Sequence, residues 1–186
     1  SRILALWRFA ARKGLVATWP EISRLAEPQI VPESWSLHEV ERLIAACAKM
    51  PGVIGTVPAC DWWRAFNLAA LYTGERTGAL LRCPYEGLRL AARVLVVPAT
   101  CRKGRTKPAI YRELPDVLCD AFAAIEQPRR PRLFFWPTCD ARFYAAYTRL
   151  LQLAGLPSGR RNKPQRLRRT FATWLESAGG DATKAL

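Results

Sequence analysis

The chain has 186 residues, half of them hydrophobic and 24% charged, which suits one domain with or without a piece of another and excludes global disorder. Lys and Arg number 29 against 15 Asp and Glu, so the formal net charge is +14, which points to a polyanion partner. No apolar run approaches the ~20 residues of a membrane-spanning helix, and the start, Ser1 to Trp7, is too short and too soon charged for a signal peptide.

Residues 3–13 predict a helix with apolar Leu6, Trp7 and Ala10, ending at Gly14. Residues 15–35 hold three prolines and no sustained period, and read as a linker. Ser36 and Glu39 stand three apart as a capping box, and Val40, Leu43, Ile44 and Cys47 follow at helical spacing. His38 falls in that helix's first turn and reads as a surface residue. Pro51 to Pro58 is expected to be a loop. Residues 61–72 form an apolar helix ending at Thr73-Gly74, and 77–82 a short second one.

Val94 to Val97 and Ala109 to Tyr111 flank the polar stretch Thr100 to Lys107 and predict a β-hairpin. A helix is expected from Pro115 through Ile125. Leu133 to Trp136 reads as a strand or core loop, the candidate third strand. Asp140 is expected to cap a helix that runs to Leu153 and stops at Gly155. Pro164 suits the first position of a last helix, with Leu167, Phe171, Leu175 and Ala178 on one face. The expected fold class is α+β, mostly helical, with a small antiparallel hairpin or three-stranded sheet. Ser1 in place of Met and the helix-like Ala182 to Leu186 make both ends read as cut.

Several chemistries lack their residues. The six cysteines form no close pair and there is one histidine, so neither a zinc site nor a His-based triad is expected. No phosphate-binding Gly-rich loop with Lys is present, and carboxylates are too scattered for two-metal catalysis. No disulfide framework is implied, which fits a reducing cytosol.

Cations remain. Residues 1–60 carry a net +2, residues 61–128 a net +3, and residues 129–186 a net +9. Of the basic residues 23 are Arg, whose planar fork grips phosphate bidentately. Three clusters stand out. Thr73-Gly74-Glu75-Arg76-Thr77-Gly78 joins two helices. The hairpin tip carries Arg102, Lys103, Arg105 and Lys107. Arg160, Arg161, Lys163, Gln165, Arg166, Arg168 and Arg169 gather at a helix start, where phosphate is favoured. Arg129, Arg130 and Arg132 add a basic loop. The bland alternative for each cluster is a solvated charged surface.

In this order the clusters resemble the catalytic domain of the tyrosine recombinases, or phage integrases. The carrying residues are Leu71-Tyr72-Thr73-Gly74-Glu75-Arg76, then Arg102-Lys103-Gly104-Arg105, then Gln165-Arg166-Leu167-Arg168-Arg169-Thr170-Phe171-Ala172-Thr173. The resemblance covers residues 36–186 and implies that 1–14 end a preceding core-binding domain. It implies DNA strand cleavage and rejoining through a 3′-phosphotyrosine, without metal or other cofactor. Arg76 and Arg168 would hold the phosphate oxygens, Lys103 would protonate the leaving oxygen, and Gln165 would donate a hydrogen bond. It further implies double-stranded DNA as partner, a homotetramer on that DNA and a cytoplasmic, nucleoid-associated protein. The DNA contacts would be Arg102, Arg105, Lys107, Arg129, Arg130, Arg132, Arg160, Arg161, Lys163, Arg166 and Arg169.

The sequence departs from the family in four ways. Gln165 stands for the usual His, Ala79 for a frequent Glu, and Gly87 for a frequent Asp. No tyrosine follows Arg168, so truncation before the nucleophile is expected, and this chain alone is expected to be inactive. Two other readings are a non-catalytic DNA-binding relative and an unrelated basic RNA-binding protein. The latter would need exposed aromatics, whereas Trp62, Trp63, Phe66, Phe171 and Trp174 read mainly as core.

Overall fold

A computed structural model describes residues 2–18, 33–102, 108–127 and 130–181. The chain divides into two units, 1–31 and 32–186. In the first, α1 (Arg2–Arg12) leaves Ile3, Leu6 and Phe9 exposed.

The second unit is built around α3 (Ala59–Thr73). Eleven of its fifteen residues are buried, as expected for a helix that is apolar on nearly every side. It packs against α2 (Leu37–Cys47), α5 (Asp116–Ala124) and α7 (Gln165–Ser177). α4 (Thr77–Arg82) follows it directly, and α6 (Asp140–Leu153) packs on α2. At the centre Trp62 stacks on Phe66 at 5.2 Å, and Phe134 meets Trp62 and Phe66 edge-on at 5.5 and 5.3 Å. Such pairs each add about 0.5–1.5 kcal/mol beyond the area they bury.

The α2 capping box forms as expected: Ser36 Oγ accepts from the Glu39 N–H, and the Ser36 N–H donates to Glu39 Oε2 at 2.8 Å. His38 is 78% exposed, again as expected. The hairpin also forms. β4 (Val94–Val97) pairs antiparallel with β5 (Ile110–Glu113), Val94 opposite Glu113 and Val97 opposite Ile110.

Four expectations need correction. The third strand is β3 (Leu88–Arg89), which pairs with β4, and not Leu133 to Trp136. Leu133 and Phe134 are core residues instead, positioned by an isolated bridge between Pro84 and Arg132. The stretch expected as a loop at 51–58 contains a minimal ribbon, β1 (Val53–Ile54) and β2 (Val57–Pro58). Asp140 is the first helical residue of α6 and Cys139 takes the cap position. Pro164 likewise sits one place earlier than expected, at the cap of α7.

Trp35 closes the core from the other end. The sequence leaves it in a linker, yet it is 1% exposed and its backbone N–H donates to Thr170 Oγ1 at 2.8 Å.

Candidate nucleic-acid interface and phosphate site

The first motif is shaped by the end of α3. Gly74 adopts φ 62°, a left-handed conformation that costs little only for glycine. The Thr73 hydroxyl donates to the Ala69 carbonyl at 2.6 Å and accepts from the Glu75 N–H at 3.2 Å. This tight exit delivers Glu75 inward and places Arg76 at the cap of α4. The Arg76 carbonyl accepts from the N–H groups of Ala79 and Leu80, at 2.8 and 3.1 Å.

The third motif meets the first here. Arg168, one turn into α7, donates from Nη1 to the Gly74 carbonyl. Gln165, at the start of the same helix, lines a cleft of about 200 Å³ together with Arg76, Gly78, Arg82, Arg102 and Tyr144. The base of the hairpin closes one wall. Arg82 Nη2 donates to the Cys101 carbonyl at 2.6 Å, and Cys101 Sγ donates back to the Arg82 carbonyl at 3.3 Å.

Glu75 is the counter-charge beneath this wall. It is 3% exposed. Arg112 Nη2 lies 3.5 Å from its Oε1 and Arg102 Nε 3.7 Å from its Oε2. Strand alternation brings Arg112 there, because Ile110 and Arg112 share the half-buried face of β5. The Arg168 pKa is pushed down by burial first and then by Arg76, with Glu75 opposing and Arg102 and Arg112 adding to the fall. Arg112 is lowered in the same way, by burial first, with Glu75 opposing. Arginine stays protonated at any ordinary pH. Arg102 and Arg112 thus face the Glu75 carboxylate, Arg168 feels it too, and Arg76 stands close enough to Arg168 to repel it.

Arg76 differs from its neighbours. Its side chain is half-buried and has no hydrogen-bond or ion-pair partner among the described residues. A half-buried cation without a partner is costly and is the natural seat for an anion.

The other candidates fall into groups. Lys103, Arg105, Lys107 and Arg129 lie outside the described residues, as does the Arg160 side chain. Arg132, Arg161 and Arg169 are exposed, as a DNA contact requires. Lys163 sits over the Tyr144 ring at 5.3 Å. Arg130 is half-buried, donates to the Ile125 carbonyl at 2.6 Å and covers Tyr85.

Two expected DNA contacts face inward. Arg102 is 7% exposed and belongs to the Glu75 cluster. Arg166 is also 7% exposed. It donates to Asn162 Oδ1 at 2.6 Å and to the Ser34 carbonyl at 2.9 Å, and it stacks on Trp35 at 3.6 Å. Those partners occupy the donors that a phosphate would need.

Residues the sequence did not single out are Glu75 as an organising carboxylate, Arg112 and Tyr144. Glu75 carried one signal: a lone acid inside a cationic motif, next to a glycine that forces a turn.

Ala79 is 2% exposed beside this cluster. At Gly87 a Cβ would stand 2.4 Å from the Val96 carbonyl, so the backbone leaves no room for any side chain. A larger groove of about 570 Å³ lies between α2, α3 and α7, but it is lined mainly by apolar groups such as Val40, Ile44, Leu68 and Trp174 and gathers no comparable set of cations. Among the described residues no cluster of three His, Cys, Asp or Glu could hold a metal, and no helix is long and apolar enough to cross a membrane.

No family model and no curated protein matches the sequence. Solved structures do match. XerA recombinase superposes with a TM-score of 0.64 at 20% identity, over 88% of this chain and 59% of that one. The integrase from mycobacterium phage Brujita gives 0.61 at 22% identity, over 97% and 58%. A lambda integrase dimer bound to a core site gives 0.67 at 18% identity, over 96% and 66%. The chain has the fold of a tyrosine-recombinase catalytic domain. It spans less than two thirds of each of these neighbours.

Proposed function

We propose that this chain binds double-stranded DNA and forms the phosphate-binding part of a site-specific DNA recombinase. The observation that carries the reading is the unpartnered, half-buried Arg76 in a cleft beside Arg168 and Gln165. The fold shared with DNA-bound recombinases supports it.

The proposed chemistry needs cations aimed at one phosphodiester. In the proposed reaction a tyrosine oxygen, which this chain does not supply after Arg168, attacks phosphorus, the bond to the 5′ oxygen breaks, and negative charge builds on the non-bridging oxygens. Arg76 and Arg168 stabilise that charge, held in advance by the Gly74 turn and by α7. Losing one such preorganised donor costs about 3–4 kcal/mol of barrier. Gln165 adds a neutral hydrogen bond but cannot exchange a proton near neutral pH. Lys103 is proposed to protonate the departing 5′ oxygen. The protein is proposed to act as a tetramer on DNA in the nucleoid, with no metal or cofactor.

The test has two stages. The 186-residue chain should bind duplex DNA with an affinity that falls about 10³- to 10⁵-fold between 50 and 200 mM salt, given six to ten phosphate contacts. A protein extended past Leu186 in its reading frame should form a covalent adduct on nicked suicide DNA, and Arg168→Ala should abolish it. Salt-sensitive binding with no adduct, in an extension that contains a tyrosine, would instead favour a non-catalytic DNA-binding relative. The unrelated RNA-binding reading needs exposed aromatics: Trp62, Trp63 and Phe66 are buried and Phe171 and Trp174 half-buried, but Tyr111 and Phe135 are exposed, so single-stranded RNA is the competitor in the same assay.

A further inference from the structure

Tyr144, on α6, lines the same cleft as Arg76 and Gln165. Its ring is fixed on two sides. Phe143 meets it edge-on at 5.3 Å, and the Lys163 ammonium covers it at 5.3 Å from the centroid. Lys163 is itself held by donating to Thr148 Oγ1 at 3.3 Å, while the Thr148 hydroxyl donates to the Tyr144 carbonyl at 2.8 Å. The ring is thus positioned by α6 and by the segment that leads into α7. Tyr144 is half-buried, and its hydroxyl makes no hydrogen bond among the described residues.

A braced phenol in a cleft lined by Arg76, Arg82, Arg102 and Gln165, whose one carboxylate, Glu75, already faces Arg102 and Arg112, can donate to an anion. Resting on the function proposed above, we infer that Tyr144 is a substrate-contacting residue: its hydroxyl donates a hydrogen bond to a non-bridging oxygen of the DNA phosphodiester bound at Arg76. The cleft then grips one phosphate with three kinds of donor. Arg76 supplies charge, Gln165 an amide N–H, and Tyr144 a neutral O–H from α6. This contact also gives Lys163 a purpose distinct from its own charge, since it braces the ring.

The test uses the 186-residue chain and a fluorescein-labelled 20-base-pair duplex of random sequence, with anisotropy read at several salt concentrations between 50 and 200 mM. Tyr144→Phe removes only the hydroxyl. The dissociation constant should rise about three- to tenfold at every salt concentration, the loss expected for one hydrogen bond. The slope of log K against log salt should stay the same, because no charge is removed. As a second reading that needs no destabilising change, 3-fluorotyrosine placed at 144 should show a fluorine resonance that moves when the duplex is added.

If the parent chain binds with a steep salt slope while Tyr144→Phe binds equally well, or the fluorine signal stays still, Tyr144 does not touch the phosphate and the reading of the site stands without it. A changed slope in Tyr144→Phe would mean a general disturbance of the surface and also overturns the contact. If the parent chain itself shows no salt-sensitive binding, the proposed function fails, and the contact fails with it.

Discussion

Arg168 donates to the main-chain carbonyl of Gly74, a residue 94 positions earlier and two before Arg76. The bond joins the helix start of the third motif to the turn of the first. It follows that the two arginines are set relative to each other by backbone and not only by the ligand. Arg168→Lys should therefore lose more than its charge count suggests, because an ammonium cannot both satisfy Gly74 and present a planar fork. Duplex DNA affinity should fall modestly, while adduct formation in the extended protein should fall by a hundredfold or more. Equal adduct yields for the two proteins on a denaturing gel would contradict this.

Arg76→Ala should separate charge from fold. The side chain has no partner to lose among the described residues, so the melting temperature should hold or rise slightly. The salt slope of DNA binding should drop by about 0.9, the value for one phosphate contact. An unchanged slope would remove Arg76 from the interface.

Glu75→Gln should act in the opposite sense. It removes the carboxylate that faces Arg102 and Arg112 and that opposes the fall of the Arg168 pKa. Removing one member of a buried ionic group costs about 3–5 kcal/mol, and the long 3.5 and 3.7 Å separations place this case at the lower end. Thermal unfolding should show the loss, and added sulfate or duplex DNA should restore part of it by supplying anions. A variant as stable as the parent at low salt would show that the carboxylate is not needed.

Gly87→Ala tests a steric claim. The added Cβ would meet the Val96 carbonyl at 2.4 Å, a rigid backbone atom of β4. Overpacking of this kind costs about 1–3 kcal/mol. Chemical denaturation should report it, and a neutral result would mean that the junction between β3 and α4 yields easily.

The thiols should differ sharply in reactivity. Burial pushes Cys47 and Cys83 up to about 12, Cys83 with added repulsion from Cys101 and Glu75. Cys139 is exposed and lowered from its ordinary value, chiefly by the Arg142 main-chain N–H. The thiolate is the nucleophile, so a lowered pKa gives more of it at a given pH. Near pH 7.5, iodoacetamide should label Cys139 before the two buried thiols, at a rate that rises with pH. Mass spectrometry finding Cys47 or Cys83 modified first would refute this ordering.

Local signals in the sequence led to correct elements. The Ser36–Glu39 box, the apolar run of α3 and the Thr73-Gly74 stop are each contained within a few residues, so propensity and capping chemistry suffice. Non-local relationships were hidden. Arg166 sits in an arginine-rich run that looks like a solvated face, and Ser34 and Trp35, more than 130 positions away, help to turn it inward. Glu75 becomes a hub through Arg112, 37 positions later. The sequence leaves Leu133 to Trp136 open between strand and core loop, because burial on all sides and strand character give the same apolar run, and the core loop is what forms. The ordered set of motifs succeeded where single clusters did not, because Arg76 and Arg168 must converge and the chain records both.

The inward turn of Arg166 has a mechanical reading. Ser34 and Trp35, at the start of the second unit, are fastened to α7 through the Arg166 guanidinium and the Thr170 hydroxyl. Arg168 lies on the same helix, between those two anchors in the chain. Two fastenings from one short segment therefore fix the rotation of α7 about its own axis, and the direction in which Arg168 leaves that helix is fixed with it.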